Sequence, residues 1–382
     1  MTCDILIMMD KKQTTQRKRG KTAKVLIIVF AVLVAIALAV FLTVYFLFLH
    51  HYKGREIVDE WHKTDEFSIS QIAMVEKQKD KDFVILNLAD VQMADLENFF
   101  DKEIMHREIS YLVEQTKPDL ITLTGDQTWS NENLVCLKSL ISWLDSYKIP
   151  YAPVFGNHDY GNAQNSAVAE LNYCCDLYER GKYSLFKRGP SNLGSLGNYV
   201  INIVEDGKIY KTLYMLDSGY EDKISTQQIE WVKWNADGIK DANGGDYVEA
   251  MCFMHKPIPQ YAEAYYKRNT SEVEIVGETP IVSYSLYGSQ ENGFFEMAKS
   301  IGVTDIVCGH QHGNRFTLKY EGIRLTFATK TGELGGYYDD GTTNLNGATS
   351  FVLSGENYVE TKNTYVGSNQ FHFKNSDNVC KK

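Results

Sequence analysis

The chain has 382 residues, 44% of them hydrophobic by count, with Tyr 24, Phe 18 and Trp 5; that allows one large packed domain or two ordinary ones and excludes a disordered or low-complexity chain. Cys 7, with no Cys-x-x-Cys pair, excludes a disulfide-dense scaffold and a zinc ribbon. Net charge is −10, and seven basic residues (Lys11, Lys12, Arg17, Lys18, Arg19, Lys21, Lys24) against Asp4 and Asp10 put +5 on residues 1–24 and leave −15 on the rest, so no nucleic-acid binding is expected of the acidic body.

Residues 25–49 form a run of 25 without Asp, Glu, Lys or Arg. At about 1.5 Å per residue a helix of that length reaches roughly 37 Å, past a hydrocarbon layer of about 30 Å. A buried core helix would more often be shorter or carry a polar stripe. A cleaved signal peptide would have an apolar region of about 7–15 residues ending at a small-residue site; this run ends Leu47-Phe48-Leu49-His50-His51. Basic residues crowd its amino-terminal flank, and only Lys53 and Arg55 closely follow. The expectation is a transmembrane signal anchor with a cytoplasmic tail (1–24) and the bulk of the chain outside the cell or in a lumen. The sequon Asn269-Thr270-Ser271 is compatible with that placement. Cys174-Cys175 could enter disulfides there, whereas Cys252 and Cys308 sit in apolar runs and read as buried thiols.

Residues 50–81 are polar and read as a stalk, 82–370 as one large domain, and 371–382 as a polar tail. From Asp82 onward, short apolar runs alternate with amphipathic segments, as when helices cover a sheet. Strands are predicted over 83–89, 120–124 and 151–155, and helices over 98–115, 133–147 and 166–178. The pattern then turns β-rich. Segments 198–204 and 208–216 flank Asp206-Gly207, a hairpin dipeptide. A helix (226–234), a strand (247–254), a helix (293–301) and a strand (304–308) follow. Segments 315–320 and 323–329 flank Glu321-Gly322 as a second hairpin, and strands recur at 350–353 and 358–365. The fold class expected is α/β.

Polar residues follow five of these strands directly: Asp90; Gly125-Asp126; Gly156-Asn157-His158-Asp159; His255; and Gly309-His310-Gln311-His312. The carboxyl ends of strands are where open α/β sheets gather ligands. Carboxylate, amide oxygen and imidazole together suit Zn, Fe, Mn or related ions. Each junction alone is an ordinary turn or a core histidine; the ordered set is what makes coincidence improbable.

These motifs resemble the calcineurin-like metallophosphoesterases, whose signature runs Asp-x-His, Gly-Asp, Gly-Asn-His-Asp/Glu, a strand-end His and Gly-His-x-His. The resemblance covers roughly residues 82–335. Phe253-Met254-His255-Lys256-Pro257-Ile258-Pro259 and the hairpin after His312 look most like the purple-acid-phosphatase branch. It implies two packed mixed sheets flanked by helices in four layers, with a binuclear centre of divalent or trivalent ions (Fe, Zn, Mn or Mg). Asp126 would bridge both ions. Asp90 and His312 would serve one; Asn157, His255 and His310 the other. His158 would contact the phosphate and protonate the leaving group, and Asp159 would orient it. The implied reaction is hydrolysis of a phosphomonoester by a metal-bound hydroxide, with phosphodiesters as the alternative substrates.

One position departs from the pattern. Gln92 stands where the family usually has His, so the first metal loses an imidazole; a weakened, ligand-binding member is the alternative this raises. Gln92 could still offer its amide oxygen to a hard cation such as Mg or Mn, or hold a water. Some purple acid phosphatases place Tyr three residues after the bridging Asp. Here Trp129 occupies that position, and its indole has an N–H donor and no usable lone pair. Tyr261, Tyr265, Tyr266, Tyr284, Tyr287, Tyr337 and Tyr338 read either as a cleft wall or as packing under long loops.

Overall fold

The computed structural model describes residues 2–46, 50, 52, 54–56, 59–93, 99–129, 133–160, 171–219, 223–282, 285–286, 288, 291–332, 346–355 and 358–366. The chain divides into two units, 1–50 and 51–382. The first contains the helix α1 (Thr2–Val44). Within it Lys21–Val44, 24 residues that include an 18-residue window of mean hydropathy 3.5, is long and apolar enough to cross a bilayer. The Thr43 hydroxyl donates to the Ala39 carbonyl at 2.8 Å, which satisfies that polar group inside the helix.

The second unit is built on two mixed sheets. In the smaller, β2 (Phe83–Leu88), β3 (Leu120–Thr124) and β4 (Tyr151–Val154) run parallel. β12 (Gly347–Ser354) lies antiparallel to β2, with β13 (Tyr358–Tyr365) beyond it. The larger sheet has the order β1 (Ala73–Glu76), β5 (Tyr199–Glu205), β6 (Lys208–Met215), β7 (Ala250–Phe253), β9 (Val303–Cys308), β11 (Ile323–Phe327), β10 (Arg315–Tyr320), β8 (Val273–Ile281). Its central strands β6, β7, β9 and β11 are parallel.

Strands buried on both faces read as continuous apolar runs, and the packing shows why these do. Met251 and Phe253 of β7 join Leu86, Ile121 and Val154 of the smaller sheet in one apolar cluster. Their neighbours Ala250 and Cys252 join a second cluster on the opposite face, as the two-residue period of a strand requires. The helices α2 (Phe99–Thr116), α3 (Asn133–Tyr147) and α4 (Leu171–Arg180) add Ile109, Leu140 and Tyr178 to the first cluster. α5 (Thr226–Ala242), α6 (Gln260–Lys267) and α7 (Phe294–Ser300) add Val232, Tyr261 and Phe295 to the second. The result is helix, sheet, sheet, helix.

Several expectations need correction. Much of the stretch read as a stalk belongs to the packed body. β1 pairs in parallel with β5, and Trp61 is only 7% exposed. Trp61 and Phe67 both set ring edges against Trp234, with centroids 5.9 and 5.4 Å apart. This packing also explains why α5 passes through Gly238: a Cβ there would stand 2.2 Å from the Phe67 ring. β1, α6 and β8 escaped the sequence reading because each is short or carries few alternating apolar residues. Tyr261 is a core residue whose hydroxyl donates to the Ile306 carbonyl at 2.7 Å, and Tyr265 stacks on Phe316; both belong to packing. Tyr266 is 64% exposed, and Tyr284, Tyr287, Tyr337 and Tyr338 lie outside the described residues. Cys174 and Cys175 are buried free thiols, as are Cys136, Cys252 and Cys308. Asn269 of the sequon is exposed.

Candidate metal centre

The site residues follow β2, β3 and β4 of one sheet and β7 and β9 of the other, so it draws on both sheets at one end of the sandwich. Asp90, Asp126 and His312 bring ligand atoms within 4.8 Å of one another, and so do Asp126, His255 and His310; the two groups share Asp126. On the first side, His312 Nε2 is 3.4 Å from Asp90 Oδ1, and Gln92 Nε2 is 3.0 Å from His312 Nε2 and 3.5 Å from Asp126 Oδ2. On the second, His255 Nε2 lies 3.4 Å from Asp126 Oδ1, 3.1 Å from Asn157 Oδ1 and 3.2 Å from His310 Nδ1. Its other nitrogen, Nδ1, faces the Thr124 carbonyl at 2.9 Å, the kind of second contact that fixes a metal-binding imidazole. Every residue assigned to the centre from sequence is therefore near it.

The backbone is bent to achieve this. Asp90 (φ 50°), Gln92 (φ 48°), Asp126 (φ 50°) and His310 (φ 71°) all occupy the left-handed region, a strain of roughly 1–3 kcal/mol per residue that typically concentrates at functional sites. The motif glycines have a matching reason. A Cβ on Gly125 would stand 2.4 Å from the His255 ring, one on Gly156 2.3 Å from Asp126 Oδ1, and one on Gly309 2.4 Å from Asp90 Oδ2. Each glycine is the space into which a candidate ligand fits.

The charges are concentrated and buried. Burial opposes ionisation of Asp126, but the charge and hydrogen bond of His255, with His158 behind them, hold its carboxyl far below the usual range. Burial likewise opposes ionisation of Asp90, and His312 outweighs it. His255 is pushed up to about 10 because Asp126 and Asp90 overcome its burial, while burial and the neighbouring His255 drive His310 down to about 3. A proton on His255 thus occupies the carboxylate-lined space that a cation could claim. The Gln92 side chain is fully buried, and among the described residues its Oε1 has no hydrogen-bond partner. Oxygen and nitrogen of an amide exchange places on a flip, which would turn that unsatisfied acceptor toward Asp126 and His312. Carboxylates, imidazoles, an asparagine oxygen and an unsatisfied buried amide oxygen together fit metal ions.

Asp159 stands differently from its expected role. Its carboxylate accepts from the backbone N–H groups of Gly156 (2.9 Å), Thr128 (3.0 Å) and Gln127 (3.3 Å), so it ties the loop after β4 to the loop after β3 instead of holding the His158 ring. Burial, then the nearby Asp126, pushes it up to about 7. His158 itself donates its backbone N–H to Asp126 Oδ1 at 2.8 Å, and its Nε2 lies 3.8 Å from Asp126 Oδ2.

Two residues near the centre went unnoticed in the sequence. Lys330, 4% exposed, donates to the Asp90 carbonyl at 2.6 Å, and burial brings its ammonium down to about 8; nothing in Ala328-Thr329-Lys330-Thr331 distinguishes it from an ordinary polar loop. Asp217, also buried, accepts from the Tyr160 hydroxyl and from the Gly219 N–H, and burial pushes it up to about 7. It had a signal: it closely follows β6, a sixth junction of an apolar strand with an acidic residue.

A double-sheet fold with acidic and imidazole side chains converging at the strand ends defines a class, and the family comparison gives it a name. The chain belongs to the calcineurin-like phosphoesterase family, whose model matches residues 61–314. It is similar to phosphatase DCR2 of Saccharomyces cerevisiae, 28% identical over 244 residues that cover 55% of this chain and 39% of the yeast protein. It is similar too to probable inactive purple acid phosphatase 29 of Arabidopsis thaliana, 24% identical over 64% of this chain and 71% of that one. Among solved structures, purple acid phosphatase PPD1 from yellow lupin (Lupinus luteus) seeds aligns at 10% identity and TM-score 0.48, over 75% of this chain and 52% of its own. The chain therefore spans about two fifths of the length of its yeast relative and just over two thirds of that of its Arabidopsis relative.

Proposed function

We propose that the chain is a membrane-anchored phosphoesterase that hydrolyses phosphomonoesters, with phosphodiesters as secondary substrates of the same centre. The observation that carries this reading is the pair of ligand groups meeting at Asp126. In the proposed assignment Asp126 would be shared; Asp90, Gln92 and His312 would hold one ion, and Asn157, His255 and His310 the other. When bound, such ions would supply charge neutralisation for phosphate oxygens and would acidify a water toward neutrality. His158 stands at the rim with its side chain 30% exposed and gives a proton to the departing ester oxygen, so that the product leaves as an alcohol. Burial holds this imidazole below its ordinary value; an arriving phosphate dianion acts in the opposite sense and favours the protonated form the step needs. Asp159 supports the arrangement through the loop it braces.

The apolar run of 25–49 is the anchor, and the basic residues before it place the tail 1–24 in the cytoplasm and the catalytic unit outside or in a lumen. The second reading is a member that binds a phosphate ester without turning it over. It is favoured by Gln92 in place of an imidazole and by the word inactive in the name of the Arabidopsis relative.

The deciding experiment uses the full chain purified in detergent. Metal content per chain is measured beside hydrolysis of aryl and alkyl phosphomonoesters and of a diester. The expected result is two ions, monoester turnover, and a His158→Ala protein that keeps its metal while losing roughly 10²–10⁴-fold in rate on the alkyl ester. Two ions with no hydrolysis of any ester would select the binding reading. An undiminished alkyl-ester rate in His158→Ala would remove that residue from its role.

A further inference from the structure

With the Asp159 carboxylate engaged by backbone amides, something else must hold the His158 ring. Among the described residues its side chain meets two partners. One is the Asp126 carboxylate, at 3.8 Å from Nε2. The other is the Trp129 indole, with ring centroids 4.1 Å apart and planes inclined by 39°. The torsion that turns an imidazole about its Cβ–Cγ bond has broad wells, and a single long contact to Asp126 leaves it poorly fixed. An aromatic face at 4.1 Å restricts it directly. Trp129 is itself well held. Its backbone N–H donates to the Met93 carbonyl at 3.0 Å, and its neighbour Thr128 bridges Met93 and donates both N–H and hydroxyl to Asp159. The shelf on which the imidazole rests is thus part of the same braced loop that carries Asp126.

We propose that Trp129 is a positioning residue for His158: its indole face sets the plane of the imidazole, so that a ring nitrogen points at the departing oxygen. The proposal rests on the hydrolase reading for its catalytic consequence, but the ring contact can be tested alone. It also gives a use to the position where a metal-binding tyrosine is absent.

The test compares the full-length wild type with Trp129→Ala, Trp129→Phe, His158→Ala and the Trp129→Ala/His158→Ala double variant, each checked for metal content and thermal midpoint. With an alkyl phosphomonoester, whose oxygen needs a proton to leave, Trp129→Ala should lower kcat by about 10- to 100-fold, the scale on which misplacing a reacting group acts. Its KM should change little. With a nitrophenyl ester, whose leaving group needs no acid, the loss should shrink to within about 3-fold. Trp129→Phe should restore most of the alkyl-ester rate, and the double variant should be no slower than His158→Ala, as expected of residues acting through one group. Equal losses on both esters, additive losses in the double variant, or no rescue by Phe would each overturn the proposal. Should the wild type hydrolyse neither ester, the hydrolase reading and the catalytic half of the proposal go together. The ring contact is then decided by the His158 ring proton resonances: an upfield shift that Trp129→Ala abolishes supports it, and unshifted wild-type resonances refute it.

Discussion

The two sides of the candidate centre share Asp126 and differ in nearly everything else. The side of His255 and His310 is rich in imidazole, with His255 Nε2 lying 3.1 Å from Asn157 Oδ1 and 3.2 Å from His310 Nδ1. The side of Asp90 and His312 has an amide, Gln92, where the family usually has a second imidazole, and the buried ammonium of Lys330 reaches the Asp90 carbonyl. The difference separates shape from chemistry. Both sides use left-handed backbone, at Asp90 and Gln92 on one and at His310 on the other, yet one offers more nitrogen donors and the other more oxygen donors.

The harshest way to break this comparison is to remove what the sides share. Asp126→Asn should strip both ions and cut phosphomonoester turnover by at least about 10³-fold, since each ion supplies several kcal/mol of charge stabilisation; elemental analysis beside the assay checks it. Retention of one ion would mean that Asp126 serves a single side. Gln92→His sharpens the comparison by making the sides alike. It should tighten the weaker of two sequential Zn affinities by about 10- to 100-fold and leave the stronger within about 3-fold, as read by calorimetry. An unchanged weaker affinity would mean that position 92 does not ligate. The smallest effect concerns protons. With His255 pushed up to about 10, the metal-free site holds a proton at pH 8 that a ligating imidazole must shed. At that pH cation binding should therefore release about one proton more from the wild type than from His255→Ala, and affinity should rise with pH up to about 10. Calorimetry in buffers of different ionisation enthalpy measures the release; equal release from the two proteins would remove His255 from that role.

Much of the fold could be read without coordinates, and the reasons are local. β3, α3, β10 and β13 begin and end where periodicity places them, because each is a clean apolar run or amphipathic segment bounded by polar turns. Boundaries failed where tertiary contacts overrode local signals. α5 runs eight residues past its expected end to Ala242, through a glycine that belongs to Phe67 packing. β1 is an edge strand of alternating exposure that draws its partner from 128 residues away, and the stalk reading fell with it. At the site, residue types and strand-end positions were sufficient to assemble the candidate ligands. They were insufficient for Asp159, whose proximity to His158 in sequence suggested a contact that the loop geometry directs to backbone amides instead.

The sequence by itself determined the apolar helix, the alternation that builds two sheets between helices, and the inventory of carboxylate, amide and imidazole groups at strand ends, because these depend on hydrophobic period and on chain adjacency. Only the tertiary structure decided which of those groups share a carboxylate, that Trp129 faces His158, and that Lys330 reaches the Asp90 backbone across 240 residues of chain. Such pairings depend on how two sheets meet and on left-handed turns that aim side chains within a few ångströms, and no local pattern of residues encodes that closure.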